Sequence, residues 1–367
     1  MSIKMLNRVK HIFSVLGVLL MLSSCDATIH EYPTDPKIII DVSCEINDVK
    51  PEFFVTVECD TENGTSYIVR TQGANTLGTR FDEPYKLRYT IDLYRVIASH
   101  TEFVKRDVIT KALNDTEFPT VRYELEAAEY KVLIWCDYVR ESAELEDWYY
   151  KTDDLRKILY NDIEVKDNND KDVFTNMVNL NFRDYSYDRR KYIELDPVHV
   201  VLERPKGRYK CITTDIEDYI IKDDVRDITC VASYVQYVAA GYNVEDQKPN
   251  YFEPTRTYLS TVSIDDVEDG KLEMCYDYVF VNGKQTNVKI NFQFYKGIVK
   301  LVNGQLFKEG NSPVTDDDRI SNWSGIVVPL KRNMETVIEG RFLTASFGSG
   351  GLGIDPGFEG EIVIPWE

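Results

Sequence analysis

Along most of this chain the apolar residues fall at every second position. Leu87, Tyr89, Ile91 and Leu93 alternate with Arg88, Thr90, Asp92 and Tyr94, and Val121, Tyr123 and Leu125 alternate with Arg122, Glu124 and Glu126. The same rhythm returns at Tyr130, Val132, Ile134, Cys136 and Tyr138, and at Val288, Ile290, Phe292 and Phe294. Period two puts each set on one face of a pleated strand, so the pattern predicts β-strands with one buried face. In the third run the alternate positions Leu133 and Trp135 are apolar too, which predicts a central strand covered on both sides. Turn signals separate the runs at Asn63-Gly64, Asn282-Gly283 and Asn303-Gly304. Only Phe103 to Leu113 and Leu145 to Leu159 offer themselves as helices. The fold class is therefore all-β, as two tandem β-sandwich domains with little helix. A fresh strand pattern begins at His199 after the border Asp196-Pro197, which divides the chain into residues 25–196 and 197–367.

The first 24 residues read differently. Lys4, Arg8 and Lys10 precede an apolar stretch from Ile12 to Leu22, and Ser23 and Ser24 lead into Cys25. Such a stretch is too short to span a bilayer, and its cationic front with a small-residue end is the layout of a secretion signal. A cysteine directly after Leu22-Ser23-Ser24 resembles a bacterial lipoprotein processing box. Residues 1–24 are then a signal peptide to be removed, and Cys25 becomes the lipidated N-terminus.

Charge narrows the partners. The chain carries 43 Lys plus Arg against 62 Asp plus Glu, a net charge of -19, and loses three cations with the signal. An acidic surface repels phosphate backbones and anionic headgroups, so nucleic acid is excluded as a partner and the lipid must supply the membrane anchoring.

Candidate chemistry is sparse. His30, His100 and His199 are well separated, and no cysteine pair has zinc-type spacing. Cys44, Cys59, Cys136, Cys211, Cys230 and Cys275 sit mostly in apolar strand patterns and read as buried free thiols rather than a disulfide framework. The glycine-rich stretch Phe347 to Gly353 leads into a turn, Asp355-Pro356-Gly357, and has no helix start to cradle a phosphate. The acidic clusters Asp167 to Asp172 and Thr315 to Asp318 lack the alternation of a calcium loop and read as solvated loops. The expectation is no metal, no cofactor and no enzyme. Tyrosine is abundant, with 24 residues. Trp148-Tyr149-Tyr150, Tyr185-Ser186-Tyr187 and Tyr234-Val235-Gln236-Tyr237 either pack in strands or form sugar-stacking platforms.

Several stretches together resemble the fimbrillin-like lipoproteins of Bacteroidales, especially minor or anchor-type fimbrial subunits. They are Cys25-Asp26 followed by Ile29 to Pro33, Glu129 to Val139, Trp148-Tyr149-Tyr150 before Asp154-Leu155, and Val328 to Asn333 with Thr336, Gly340 and Leu343-Thr344. The resemblance implies transthyretin-like sandwiches, a lipid-held precursor at the outer membrane, and fimbrial partners joined by strand exchange. Stalk subunits of that family lose a first strand to cleavage after an arginine; here none occurs between Cys25 and Val69, which favours an anchor or accessory subunit. The chain ends on an apolar strand pattern, with Ile362, Val363, Ile364 and Trp366 as the expected strand-exchange segment and Pro365 as its stop. A glycan-binding surface lipoprotein is the alternative reading.

Overall fold

The computed structural model describes residues 36–49, 51–59, 84–161, 168–220 and 225–345. Among them strands dominate and helix is confined to short turns and the segment Ile216–Ile220.

Two pairs of sheets each enclose an apolar core. In the first pair, β1 (Lys37–Ile46) has β5 (Thr120–Leu125) antiparallel on one side. On its other side β10 (Tyr192–Glu194) and β11 (Val198–Leu202) run parallel to it, one after the other. The facing sheet is antiparallel, in the order β4 (His100–Ala112), β3 (Tyr85–Ile97), β6 (Glu129–Arg140) and β9 (Val173–Asn181). Ile38, Ile40 and Val42 of β1 meet Leu87, Tyr89, Ile91 and Leu93 of β3 and Val132 and Ile134 of β6 in one core. The second pair joins β17 (Leu272–Phe280), β12 (Lys206–Thr213), β22 (Met334–Gly340) and β2 (Glu52–Cys59) into one sheet. Its partner holds β16 (Arg256–Ser263), β13 (Asp227–Tyr234), β18 (Thr286–Lys296) and β21 (Arg319–Leu330). Val288, Ile290, Phe292 and Phe294 all point into this second core, as their alternation requires.

A further sheet of β15 (Lys248–Glu253), β14 (Val238–Asn243), β8 (Ile158–Tyr160) and β7 (Tyr150–Lys151) contributes to a third cluster on the back of β6. Leu133 and Trp135 are buried there, so β6 is covered on both faces as its unbroken apolar run predicts. The hairpin of β19 (Val299–Val302) and β20 (Gln305–Lys308) turns on Asn303 and Gly304, whose φ angles of 50° and 77° are those of the expected Asn-Gly turn.

Three expectations need correction. Phe103 to Leu113 lies almost wholly in strand β4 rather than a helix: a bulge at Val104, where Leu93 pairs Lys105 but Tyr94 pairs Phe103, breaks the alternation that would have revealed it. Leu145 to Leu159 forms turns and the short strands β7 and β8, with Leu155 and Ile158 in the third cluster. Strand β3 is buried on its polar face as well, because its charges are paired: Arg88 clasps Asp137 through two bonds of 3.0 and 2.7 Å, and Asp92 accepts two from Arg106.

Strand pairing also runs across Asp196-Pro197. Strand β11 lies after that border yet pairs with β1, and β2 lies before it yet pairs with β22. Strand β8 pairs with β14 in the same interlaced way.

Candidate functional site: an open sheet edge beside a buried polar seam

The segment Asn168–Lys171 makes one 3-10 turn, and its residues Asn169 to Lys171 are buried together with Asp172, not solvated as their composition suggests. Lys171 Nζ donates to Asp277 Oδ1 at 2.5 Å, while the Tyr234 hydroxyl donates to Oδ2 at 2.7 Å and the Tyr278 backbone N–H to Oδ1 at 2.7 Å. Beside it, Lys206 Nζ donates to the Tyr160 hydroxyl at 3.1 Å, to the Lys171 carbonyl at 3.0 Å and to the Tyr150 hydroxyl. Arg204 binds both oxygens of Asp172 and reaches the Val49 carbonyl and Asn333. Buried charges survive only when paired and hydrogen-bonded: Lys171 has Asp277 and Arg204 has Asp172, while Lys206 meets only neutral oxygens and is held well below the ordinary lysine value, by burial first. Lysines set among tyrosines invite a catalytic reading, but Lys171 and Lys206 are enclosed by protein and each Nζ is held by hydrogen bonding to buried oxygens. The seam ties strands from both sides of the Asp196-Pro197 border.

The seam carries a pH signature. Burial lowers the Lys171 ammonium to about 8 even though Asp277 opposes the shift, and burial with the neighbouring Lys171 charge holds Lys206 well below the ordinary lysine value. A base whose folded pKa lies below its unfolded value leaves the unfolded chain holding more protons between the two, so stability rises with pH across that window. Urea midpoints are therefore expected to climb from pH 7 to pH 8, before thiols and tyrosines ionise in the unfolded chain while burial keeps those of Cys44, Cys59 and Tyr234 protonated, which reverses the sign. A midpoint that falls from pH 7 to pH 8 would contradict this.

Of the two described histidines, His100 and His199, the latter stands in a polar trio. Ser43 Oγ lies 3.0 Å from His199 Nδ1, and His199 Nε2 lies 2.8 Å from Glu45. These residues share a solvent-facing sheet surface, and β1 is hydrogen-bonded to strands on both sides. Its backbone N–H groups are spent in the ladders and do not converge on an oxyanion position. The trio is a cross-strand clasp between β1 and β11.

The surface feature that stands out is β4. It is the rim of its sheet among the described strands, thirteen residues long and bonded to β3 on one side. Phe103, Val104 and Val108 are exposed by 52%, 47% and 41%. A long unpaired edge with apolar side chains is a template for another strand. Lys105, Lys111 and the bulge at Val104 restrict which strands can add, as charges and bulges do on protected edges.

Other expected sites are placed as follows. Cys25 and the segment with Ile362, Val363, Ile364 and Trp366 lie outside the described residues. Tyr149 and Tyr150 are buried in the third cluster with Trp148 packed against it, and Tyr234 is buried in the second core, so much of the tyrosine enrichment is strand packing. Tyr187 and Tyr237 are exposed. The six described cysteines are buried and free. Thr315 to Asp318 is a capped, solvent-facing turn, and no group of three metal-ligating side chains converges among the described residues.

A family model described as a family of unknown function, DUF6562, matches residues 46–309 and 313–366. The chain belongs to this DUF6562 family. Comparison with curated proteins finds no match. Among solved structures it is similar to a candidate adhesin from Bacteroides ovatus, at 11% identity and a TM-score of 0.42, over 83% of this chain and 89% of that one. A candidate cell adhesion protein from Bacteroides eggerthii matches at 12% identity and a TM-score of 0.38, over 90% and 93%. The fimbrial anchor protein of Porphyromonas gingivalis matches at 7% identity and a TM-score of 0.36, over 79% and 82%. Overlap this loose carries no argument about function.

Proposed function

We propose that this DUF6562 protein is a non-enzymatic lipoprotein of the cell envelope, held at the outer membrane through lipid on Cys25, and an anchor or accessory subunit of a fimbria-like surface assembly. In this reading it is built as two sandwich units that exchange strands across the Asp196-Pro197 border, and it joins other fimbrial subunits by strand exchange. The observation that carries the assembly role is the rim strand β4, with one side unpaired among the described strands and apolar side chains exposed. The closing segment Glu361 to Glu367 supplies the complementary piece, an apolar strand pattern ended by a proline that cannot donate to a ladder. The fimbrillin-like marks in the sequence support the same role.

Two variants test it. Deleting Glu361 to Glu367 is expected to leave the protein folded, by circular dichroism and protease resistance, while abolishing its recovery in surface polymers. Cys25→Ser is expected to move the protein from the detergent phase to the aqueous phase, because a lipidated cysteine supplies anchoring that an acidic surface does not. Normal incorporation of the deleted chain would overturn the strand-exchange role; detergent partitioning of Cys25→Ser with residues 1–24 removed would overturn the tether.

A further inference from the structure

Three thiols meet inside the second sheet pair. Cys211 of β12 and Cys275 of β17 stand directly opposite each other in that ladder. Cys230 of β13 approaches from the facing sheet and donates its S–H to Cys275 Sγ at 3.5 Å. All three are buried in one core, together with Cys59. Cys230 and Cys275 therefore touch across the sandwich, although 45 positions separate them in sequence.

We propose that Cys230 and Cys275 form a cross-sheet disulfide when the chain folds in an oxidising compartment, the structure showing the pair in its reduced state. A disulfide needs a sulfur separation of about 2.05 Å. Sulfurs already in contact at 3.5 Å have about 1.5 Å left to close.

The step is thiol–disulfide exchange with a disulfide oxidant, either a small one such as oxidised glutathione or a protein oxidoreductase. The Cys275 thiolate attacks one sulfur of the oxidant, whose S–S bond breaks and whose departing thiolate takes up a proton. A mixed disulfide remains on Cys275. Cys230 then loses its proton and attacks the Cys275 sulfur, expelling the second oxidant thiolate, which is protonated in turn. Two protein thiols are oxidised and one oxidant disulfide becomes two thiols. Cys230 and Cys275 are interchangeable in this scheme, since before the sheets meet neither thiol has the other sheet against it. The finished core has no room for an oxidant, so exchange belongs to folding, before the two sheets close.

In the cell this chemistry rests on the proposed export to the envelope; in the test tube it does not. The Cys25→Ser full-length chain, unfolded and reduced, is refolded in a mixture of oxidised and reduced glutathione. Its remaining thiols are blocked with N-ethylmaleimide, and the unreduced digest is read by mass spectrometry. The expected product is a peptide pair joined through Cys230 and Cys275, with Cys44, Cys59, Cys136 and Cys211 carrying the blocking group. Its urea midpoint is expected to lie above that of the reduced protein and to fall back on reduction. Cys230→Ala is expected to remove the cross-link and Cys44→Ala to leave it. Blocking of all six thiols, or a digest in which Cys275 is joined to Cys211 instead, overturns the proposal, and the map of the Cys25→Ser chain decides the matter even if the alanine variants fail to fold.

Discussion

Replacing Asp277 by alanine is expected to cost about 3 to 5 kcal/mol, the loss typical of removing one partner from a buried ion pair. Asp277 is buried and accepts three hydrogen bonds, from Lys171, from Tyr234 and from the Tyr278 backbone. Without it the Lys171 ammonium keeps its desolvation cost and loses its counter-charge, and the Tyr234 hydroxyl loses its carboxylate acceptor. The paired variant separates this penalty from the worth of the pair itself. Lys171→Met with Asp277→Leu removes both charges and fills the space with apolar atoms, which for buried pairs is commonly near neutral. A double-mutant cycle of Lys171→Met and Asp277→Leu by urea denaturation is therefore expected to show strong non-additivity, with the double variant more stable than Asp277→Leu alone. Additive losses, or an Asp277→Ala midpoint close to that of the parent, would mean the seam contributes little.

The same seam shows where sequence reasoning ran out. Asp167 to Asp172 has the composition of a solvated loop, and nothing within that stretch announces that Lys171 will meet a carboxylate 106 residues away. Burial of a polar residue depends on a partner, and the partner is set by topology, not by local pattern. The parallel pairing of β1 with β11 and of β2 with β22 is equally invisible, because alternation fixes which face of a strand is apolar but not which strand lies beside it. Alternation did suffice where one face met a core, as in β18, and where both faces were apolar, as in β6. It failed at β4, because the bulge at Val104 shifts the apolar residues out of phase and a rim strand with no fully buried residue has little apolar periodicity to display. The open edge that carries the assembly proposal was thus the element least legible beforehand.

The second large effect lies at Trp135. Its side chain is fully buried on the back of β6, with the ring of Tyr150 set edge-on at 5.2 Å and those of Tyr242 and Phe280 at 6.3 and 6.4 Å. Tyr150 comes from β7, but Tyr242 and Phe280 come from β14 and β17, so the indole fills the space where the β3–β6 sheet meets elements from the other half of the chain. Trp135→Ala is expected to cost about 3 to 5 kcal/mol, the transfer free energy of the indole plus the cavity it leaves. Neighbours from different sheets have limited freedom to collapse into that space, since each is held by its own ladder. Phe280 stacks on Tyr242 at 5.1 Å and shares the same pocket, so a Trp135→Ala, Phe280→Ala cycle is expected to couple, the second truncation costing less once the first has opened the cavity. Chemical denaturation of the single and double variants measures this. A loss below about 1 kcal/mol for Trp135→Ala, more typical of a peripheral position, would show that the third cluster does not bind the two halves together.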